Sequence, residues 1–186
     1  EVADDDCAFY FLKEVPHGTV STEYFFSEIT GRTRICHVYT PPGYENGEKK
    51  YPVLYLQHGV GENETGWVWQ GKMNYILDNL IAAGECREMI VVANTGYAFS
   101  QRYPSDYLPG NFDGMLINDC IPFIEDRYRV LSHRSTRAVA GLSMGSVQAC
   151  RTALLHPDIF ASFGVFSGCF PVVGYDYDGS RYMEKP

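Results

Sequence analysis

From residue 53 to residue 166, short apolar runs alternate with segments whose apolar residues recur every three or four positions. The runs have the length and composition of strands that are buried on both faces. The segments between them are typical of helices that cover a sheet. Because the two alternate at the spacing of βαβ units, the sequence predicts an α/β fold with a mostly parallel sheet flanked by helices. The predicted strands are residues 53–56, 89–93, 137–140 and 163–166, and the predicted helices are residues 73–81, 117–128 and 147–155.

The N-terminal part follows a different pattern. Residues 19–26 and 33–40 are rich in β-branched and aromatic side chains, and they flank a turn signal at Thr30-Gly31. This pattern predicts an antiparallel hairpin before the parallel sheet. Two residues then predict local features of the helices: Gly84 marks the end of the first helix, and Pro122 predicts a kink in the second.

Length and composition limit the classes of function. The 186 residues suit a single domain, residues 1–186, and the net charge of −8 argues against nucleic acid or an anionic membrane as partner. No apolar run approaches the ~20 residues of a membrane span. The six cysteines form no CxxC pair or Cys/His cluster, so we expect no metal and no cofactor, while disulfides stay open.

The motif that points to chemistry is GLSMG at residues 141–145, between a predicted buried strand and a predicted helix. It matches the G-x-S-x-G nucleophile elbow of α/β-hydrolases, in which a tight strand-to-helix turn lifts the serine oxygen clear of the sheet. The backbone at such a serine is strained, and the flanking glycines leave room for the turn. The sequence therefore predicts Ser143 as a catalytic nucleophile. The alternative is a glycine-rich turn with an incidental serine.

A second glycine-containing loop, HGVG at residues 58–61, follows the first predicted parallel strand. A loop at this position supplies one backbone N–H of the oxyanion hole in α/β-hydrolases, and the residue after the nucleophile supplies the other. We assign these two donors to Val60 and Met144. The alternative is a plain turn between strand and helix.

A serine nucleophile also needs an acid and a histidine, which α/β-hydrolases place after the serine in the chain. The one histidine after Ser143 is His156, at the far end of the following helix and ~20 Å from the serine oxygen. We expect His58 to brace its loop, and His133 to lie at the opposite edge of the sheet. His17 and His37 belong to the hairpin region.

The carboxylates after the elbow, Asp158, Asp176 and Asp178, are in positions typical of solvated loops. We therefore expect residues 1–186 to be the N-terminal portion of an α/β-hydrolase domain. The acid and the histidine are then expected in a missing C-terminal part, or in a second chain that supplies Asp and His.

Several motifs resemble the feruloyl and acetylxylan esterases of carbohydrate esterase family 1, within the esterase D and enterochelin-esterase-like group. They are VPHGTV at 15–20, Arg34 with VYTPPGY at 38–44, LYLQHG at 54–59, GENETGW at 61–67, residues 74–79, IPFIE at 121–125 and GLSMG. The resemblance runs over nearly the whole chain. One departure is Ser146, where the family usually has glycine.

The resemblance implies hydrolysis of ferulate or acetate esters on plant xylan through a Ser-His-Asp triad without a metal. Of the triad and the oxyanion hole, only Ser143, Val60 and Met144 carry over. A plant cell-wall substrate implies a secreted protein, although residues 1–6 lack the features of a signal peptide. Trp67, Trp69 and the loop 97–107 are candidates for holding a phenolic ring or a sugar, with packing as the alternative.

Two other functions stay open. An acyltransferase or thioesterase of the same fold would use the same nucleophile and oxyanion hole, with a sugar or a thiol as the acyl acceptor or carrier. A non-catalytic carbohydrate-binding domain would leave the elbow unused, which the absence of a base in the chain makes a real alternative. Competition between an added acceptor and water separates the first alternative from an ester hydrolase.

Overall fold

The computed structural model of the protein describes residues 5–99 and 110–168. Six strands form one sheet in the order β1-β2-β4-β3-β5-β6. The strands are β1 (Thr19–Ser27), β2 (Arg32–Thr40), β3 (Val53–Gln57), β4 (Ile90–Asn94), β5 (Arg137–Leu142) and β6 (Ser162–Phe166).

The sheet has an antiparallel and a parallel part. β1 and β2 form the predicted hairpin, and its turn includes Gly31 at a φ of 65°. β2 pairs antiparallel with β4, whereas β4, β3, β5 and β6 run parallel to one another. The predictions of a hairpin and of a mostly parallel sheet are both confirmed.

Helices connect the parallel strands. They are α1 (Gly66–Trp69), α2 (Met73–Ala82), α3 (Phe112–Met115), α4 (Ile121–Arg127) and α5 (Met144–Leu155), and a π-helical turn, Leu116–Cys120, joins α3 to α4. The sequence predicted α2 and α5 closely, and Gly84 follows α2 at a φ of 72°. The four-residue helix α1 was not predicted, because so short a segment shows no helical period.

The second predicted helix begins earlier than predicted and contains a π-helical turn. It begins at Phe112, where the Asn111 side chain accepts a hydrogen bond from the Gly114 N–H and so caps it. Just before Pro122 the helix widens into the π-helical turn. Proline lacks an N–H and its ring crowds the carbonyl four residues earlier. The wider turn accommodates both effects, and it lies where the sequence predicted an irregularity at Pro122.

Apolar side chains cover both faces of the sheet. On one face Tyr55, Val92 and Val139 pack with residues of α3, α4 and α5, and on the other Leu56 and Val91 belong to a cluster that reaches α2. Burial on both faces explains why the parallel strands appear as continuous apolar runs in the sequence. It also leaves the carboxyl-terminal edge of the parallel strands as the place where a site can open to solvent.

The described cysteines Cys7, Cys36, Cys86, Cys120 and Cys150 are free thiols, and Cys169 lies outside the described residues. Hydrogen bonding to the Cys120 thiol and burial raise the pKa of Cys36 well above its ordinary value. A buried thiol that stays protonated is a poor nucleophile, so this pair is part of the core. In the part of the chain that the structure describes, no helix has the length and apolar character needed to cross a bilayer.

Candidate active site

Ser143 occupies the turn between β5 and α5, with φ 52° and ψ −111°. A positive φ is strained for a residue with a Cβ, and such strain persists only where the surrounding structure enforces it. Here the Ser143 N–H donates to the carbonyl of Phe166 on the neighbouring strand at 3.0 Å. The Ser143 side chain is exposed and does not cap α5. The turn therefore presents the serine hydroxyl to solvent.

The two glycines of the motif are required by close backbone approaches. A Cβ on Gly145 would lie 2.6 Å from the His58 carbonyl oxygen and 2.7 Å from that of Gln57. A Cβ on Gly141 would overlap the Gly145 backbone. These approaches also place the end of β3, and the loop that follows it, directly against the elbow.

In the loop after β3, the backbone N–H groups on both sides of Val60 are hydrogen-bonded to side chains. The Gly59 N–H donates to the Glu62 carboxylate at 2.8 Å, and the Gly61 N–H donates to the Tyr97 hydroxyl at 2.8 Å. Within the described ranges, the Val60 N–H has no acceptor. Its side chain is 68% exposed, so Val60 contributes little packing to the loop. The loop is thus ordered by its neighbours while one N–H is left available.

Met144 is the first residue of α5 and directly follows Ser143. The first N–H groups of a helix have no partner within the helix and carry partial positive charge. An anionic oxygen near Ser143 would therefore meet the positive end of a twelve-residue helix. The structure brings Ser143, Met144 and the Val60 loop to the same edge of the sheet.

The His58 ring lies fully buried beside this loop, with both nitrogens engaged by backbone groups. Its Nδ1 is 2.8 Å from the Gly59 carbonyl oxygen, and its Nε2 is 2.8 Å from the Gly96 nitrogen. A carbonyl accepts and an amide N–H donates, so the proton must sit on Nδ1 and the ring must be neutral. This arrangement agrees with the expected bracing role of His58 and leaves neither nitrogen free to act as a base.

The other four histidines have partners away from the elbow. His17 contacts the buried Asp78 carboxylate at 2.9 Å, and His156, which follows the end of α5, lies 3.5 Å from Asp113. The remaining two rings contact hydroxyl groups: His37 meets Thr22, and His133 meets Ser135 just before β5. All five histidines of the chain are therefore engaged in contacts that do not involve Ser143.

Aromatic side chains line one side of the elbow. The half-buried Trp67 donates its Nε1–H to the Gln57 carbonyl at 2.8 Å and packs against Phe166, with ring centroids 5.8 Å apart. Trp69 is 72% exposed. Of the loop 97–107, residues 100–107 lie outside the described residues, while Tyr97 stacks on Phe99 with ring centroids 5.9 Å apart. Trp67 thus packs against β6, the neighbour of β5, and Trp69 faces solvent.

Three residues of this region were not predicted from the sequence. Gly96 holds the His58 ring through its N–H, and its carbonyl accepts from the Gln148 side chain at 2.8 Å. The Phe166 carbonyl accepts from the Ser143 N–H. The only sequence signal was the turn at Thr95-Gly96 after a strand. Within residues 5–99 and 110–168, no three His, Cys, Asp or Glu side chains are grouped so as to hold a metal ion.

Comparison with known proteins places these features in a family. Residues 27–174 match the Esterase family. The chain is 38% identical over 175 residues to an endo-1,4-beta-xylanase/feruloyl esterase of Xylanibacter ruminicola, and 30% identical over 172 residues to endo-1,4-beta-xylanase Y of Acetivibrio thermocellus. These matches cover 90% and 85% of this chain but only 24% and 15% of the two relatives.

Solved structures give the same result for the fold. A ferulic acid esterase of carbohydrate esterase family 1 from Anaeromyces mucronatus, in complex with ferulic acid, superposes with a TM-score of 0.79 at 26% identity. The match covers 96% of this chain and 68% of that one. The expected resemblance is confirmed: the chain has the α/β-hydrolase fold and belongs to the Esterase family.

Proposed function

We propose that the chain carries the nucleophile and the oxyanion hole of a serine ester hydrolase that removes feruloyl groups from plant xylan. The observation that carries this proposal is the geometry of Ser143, an exposed serine held at a φ of 52° where a strand meets a helix N-terminus. A strained, exposed serine at the head of a helix serves no evident packing purpose. It is the arrangement that nucleophilic attack on an ester requires.

The choice of ferulate rests on the relatives. One is named an endo-1,4-beta-xylanase/feruloyl esterase, and a solved structure similar to this chain is described in complex with ferulic acid. The aromatic wall formed by Trp67 and Phe166 suits a phenolic acyl group better than acetate. An acetyl ester is the alternative substrate. We also propose that the protein acts outside the cell, because xylan is an extracellular polymer.

The proposed reaction has two halves. The Ser143 oxygen attacks the ester carbonyl carbon, and its proton passes to a histidine base. The N–H groups of Val60 and Met144 hold the oxyanion of the tetrahedral intermediate, each worth roughly 3 kcal/mol of barrier. The bond to the sugar oxygen then breaks, and that oxygen takes the proton from the histidine. Water attacks the acyl-serine in the same way and releases ferulate.

We propose that the histidine and its acid lie outside residues 5–99 and 110–168, in further residues of one α/β-hydrolase domain or in a second chain. The support is that all five histidines already contact other groups. β6 is the outermost strand on the elbow's side of the sheet, with Phe163 and Phe166 40% and 48% exposed. Additional chain packed there would lie beside the end of β5 and so close to Ser143.

A fluorophosphonate probe tests the proposal, because it labels only a serine that is activated as a nucleophile. The probe is applied to the 186-residue chain, to a longer natural form, and to Ser143→Ala in each. We expect strong labelling of the longer form at Ser143, with release of ferulate from feruloylated xylan. Weak or no labelling is expected for the short chain. A longer form that is neither labelled nor active would overturn the hydrolase assignment.

A further inference from the structure

Ser146 lies in the first turn of α5 with its side chain 1% exposed. Its hydroxyl donates to the Ser143 carbonyl oxygen at 2.6 Å. The same oxygen accepts from the Ser146 N–H at 3.0 Å and from the Val147 N–H at 3.3 Å. Three donors therefore converge on one carbonyl, that of the residue predicted to be the nucleophile.

The Ser143 carbonyl and the Met144 N–H belong to the same peptide unit. A peptide unit is planar, so a constraint on the direction of its C=O also sets the direction of its N–H. Hydrogen bonds accepted by a carbonyl also polarise the peptide and strengthen the N–H as a donor. The Ser146 hydroxyl therefore binds the carbonyl end of the peptide unit whose other end is the Met144 N–H.

The surroundings keep the Ser146 hydroxyl in this orientation. A Cβ on Gly168 would overlap the Ser146 hydroxyl oxygen, so the Gly168 backbone closes tightly over it. On the other side of the turn, Gly145 is in contact with the Gln57 and His58 carbonyls. The first turn of α5 is thus enclosed from two directions, with the hydroxyl directed at the Ser143 carbonyl.

We propose that Ser146 is a positioning residue whose hydroxyl orients and polarises the Met144 N–H for binding the oxyanion. The inference rests on the proposed function of Ser143 and Met144 and extends it to a residue that touches neither substrate nor reacting atoms. A local alternative exists, because serine hydroxyls often bond to a carbonyl one turn back without any functional effect. In that case the bond would matter for stability alone.

The two roles differ in what they do to transition-state binding. If Ser146 positions the oxyanion donor, Ser146→Ala lowers kcat about tenfold while KM stays within about twofold, because the donor binds the transition state more strongly than the substrate. An arylboronic acid, which forms a tetrahedral adduct on a reactive serine, should lose the same factor in affinity. Ferulate, the planar product, should bind unchanged.

The experiment uses the active longer form of the protein with methyl ferulate as substrate. Thr152→Val is the matched control, since Thr152 is another buried hydroxyl of α5, about two turns beyond the elbow. We expect the control to keep the wild-type kcat and boronate affinity. Thermal unfolding of both variants reports on their stability.

The outcomes separate this inference from the proposed function. An active wild type with unchanged kcat and boronate affinity in Ser146→Ala would overturn the inference alone, even if the variant melts at a lower temperature. Equal losses in boronate and ferulate binding would also overturn it, because they indicate general damage to the site. A wild type that is neither labelled at Ser143 nor active would overturn both.

Discussion

The buried ring of His58 accepts the Gly96 N–H at 2.8 Å while its other nitrogen contacts the Gly59 carbonyl. One side chain thus joins the loops that follow β3 and β4, on the side of the sheet where Ser143 is exposed. A histidine near a serine nucleophile invites assignment as its base. These two bonds instead make His58 a support of the loop that follows β3.

His58→Ala should therefore mainly lower the stability of the fold. Removing a fully buried ring leaves the Gly96 N–H without its partner, and we expect a loss of about 2–4 kcal/mol in the free energy of unfolding. Urea denaturation measures this loss. His37→Ala is the control, because its ring meets Thr22 in an exposed contact, and it should cost under about 1 kcal/mol. Equal stability of the two variants would contradict the bracing role.

Gly145→Ala tests the contact between the elbow and the end of β3. The added Cβ would lie 2.6 Å from the His58 carbonyl oxygen and 2.7 Å from that of Gln57. Both oxygens lie at the end of β3, which is held by a paired strand on each side. In the active longer form, we expect about 1–3 kcal/mol of destabilisation and a loss of nearly all labelling by the fluorophosphonate probe. Gly47→Ala is matched to it, since its φ is −141° and the nearest atom to the new Cβ is 4.0 Å away. Full labelling of Gly145→Ala would show that the turn tolerates a side chain.

The oxyanion role of Val60 can be tested without losing packing. Val60→Pro removes the backbone N–H, whereas Val60→Ala keeps it, and the valine side chain is largely exposed in either case. In the active longer form, we expect the proline variant to lose about 10²–10³ in kcat and the alanine variant to stay within about threefold. Circular dichroism of both variants reports on their folding. Similar rates for the two would exclude the Val60 N–H as an oxyanion donor.

Asp78 joins the N-terminal segment to α2. Its carboxylate is buried and accepts from the Tyr39 hydroxyl at 2.7 Å and from the Gly18 N–H at 2.9 Å, besides its contact with His17. Asp78→Ala leaves these donors without an acceptor and should cost about 3–5 kcal/mol in unfolding free energy. His17→Ala removes one partly exposed contact and should cost about 1 kcal/mol or less. A small effect of Asp78→Ala would show that water replaces the carboxylate there.

The sequence alone predicted the order of the strands, the main helices α2 and α5, and the strand-to-helix turn at Ser143. Those features depend on local patterns: apolar runs for β3 to β6, helical period for α2 and α5, and the glycine spacing around Ser143. The strain that G-x-S-x-G implied is present in the φ of 52° at Ser143. The resemblance of the motifs also predicted the family to which the chain belongs.

Features that depend on contacts between distant segments could not be predicted from the sequence. In the sequence, Gly96 is indistinguishable from an ordinary turn residue. Its N–H can donate to the His58 ring, 38 positions earlier, only because β3 and β4 are neighbours in the sheet. Ser146 stands where the family usually has glycine, and nothing in the sequence shows that its hydroxyl donates to the Ser143 carbonyl.

The backbone strain at Ser143 means that its proposed catalytic role is opposed to the stability of the fold at the same position. A left-handed φ costs a side-chain-bearing residue of order 1–3 kcal/mol, a cost that glycine largely escapes. Ser143→Gly should therefore yield a protein that is inert toward esters and yet melts several degrees above the wild type. A search for thermostable variants by folding alone would therefore select against Ser143, the residue that we propose as the nucleophile.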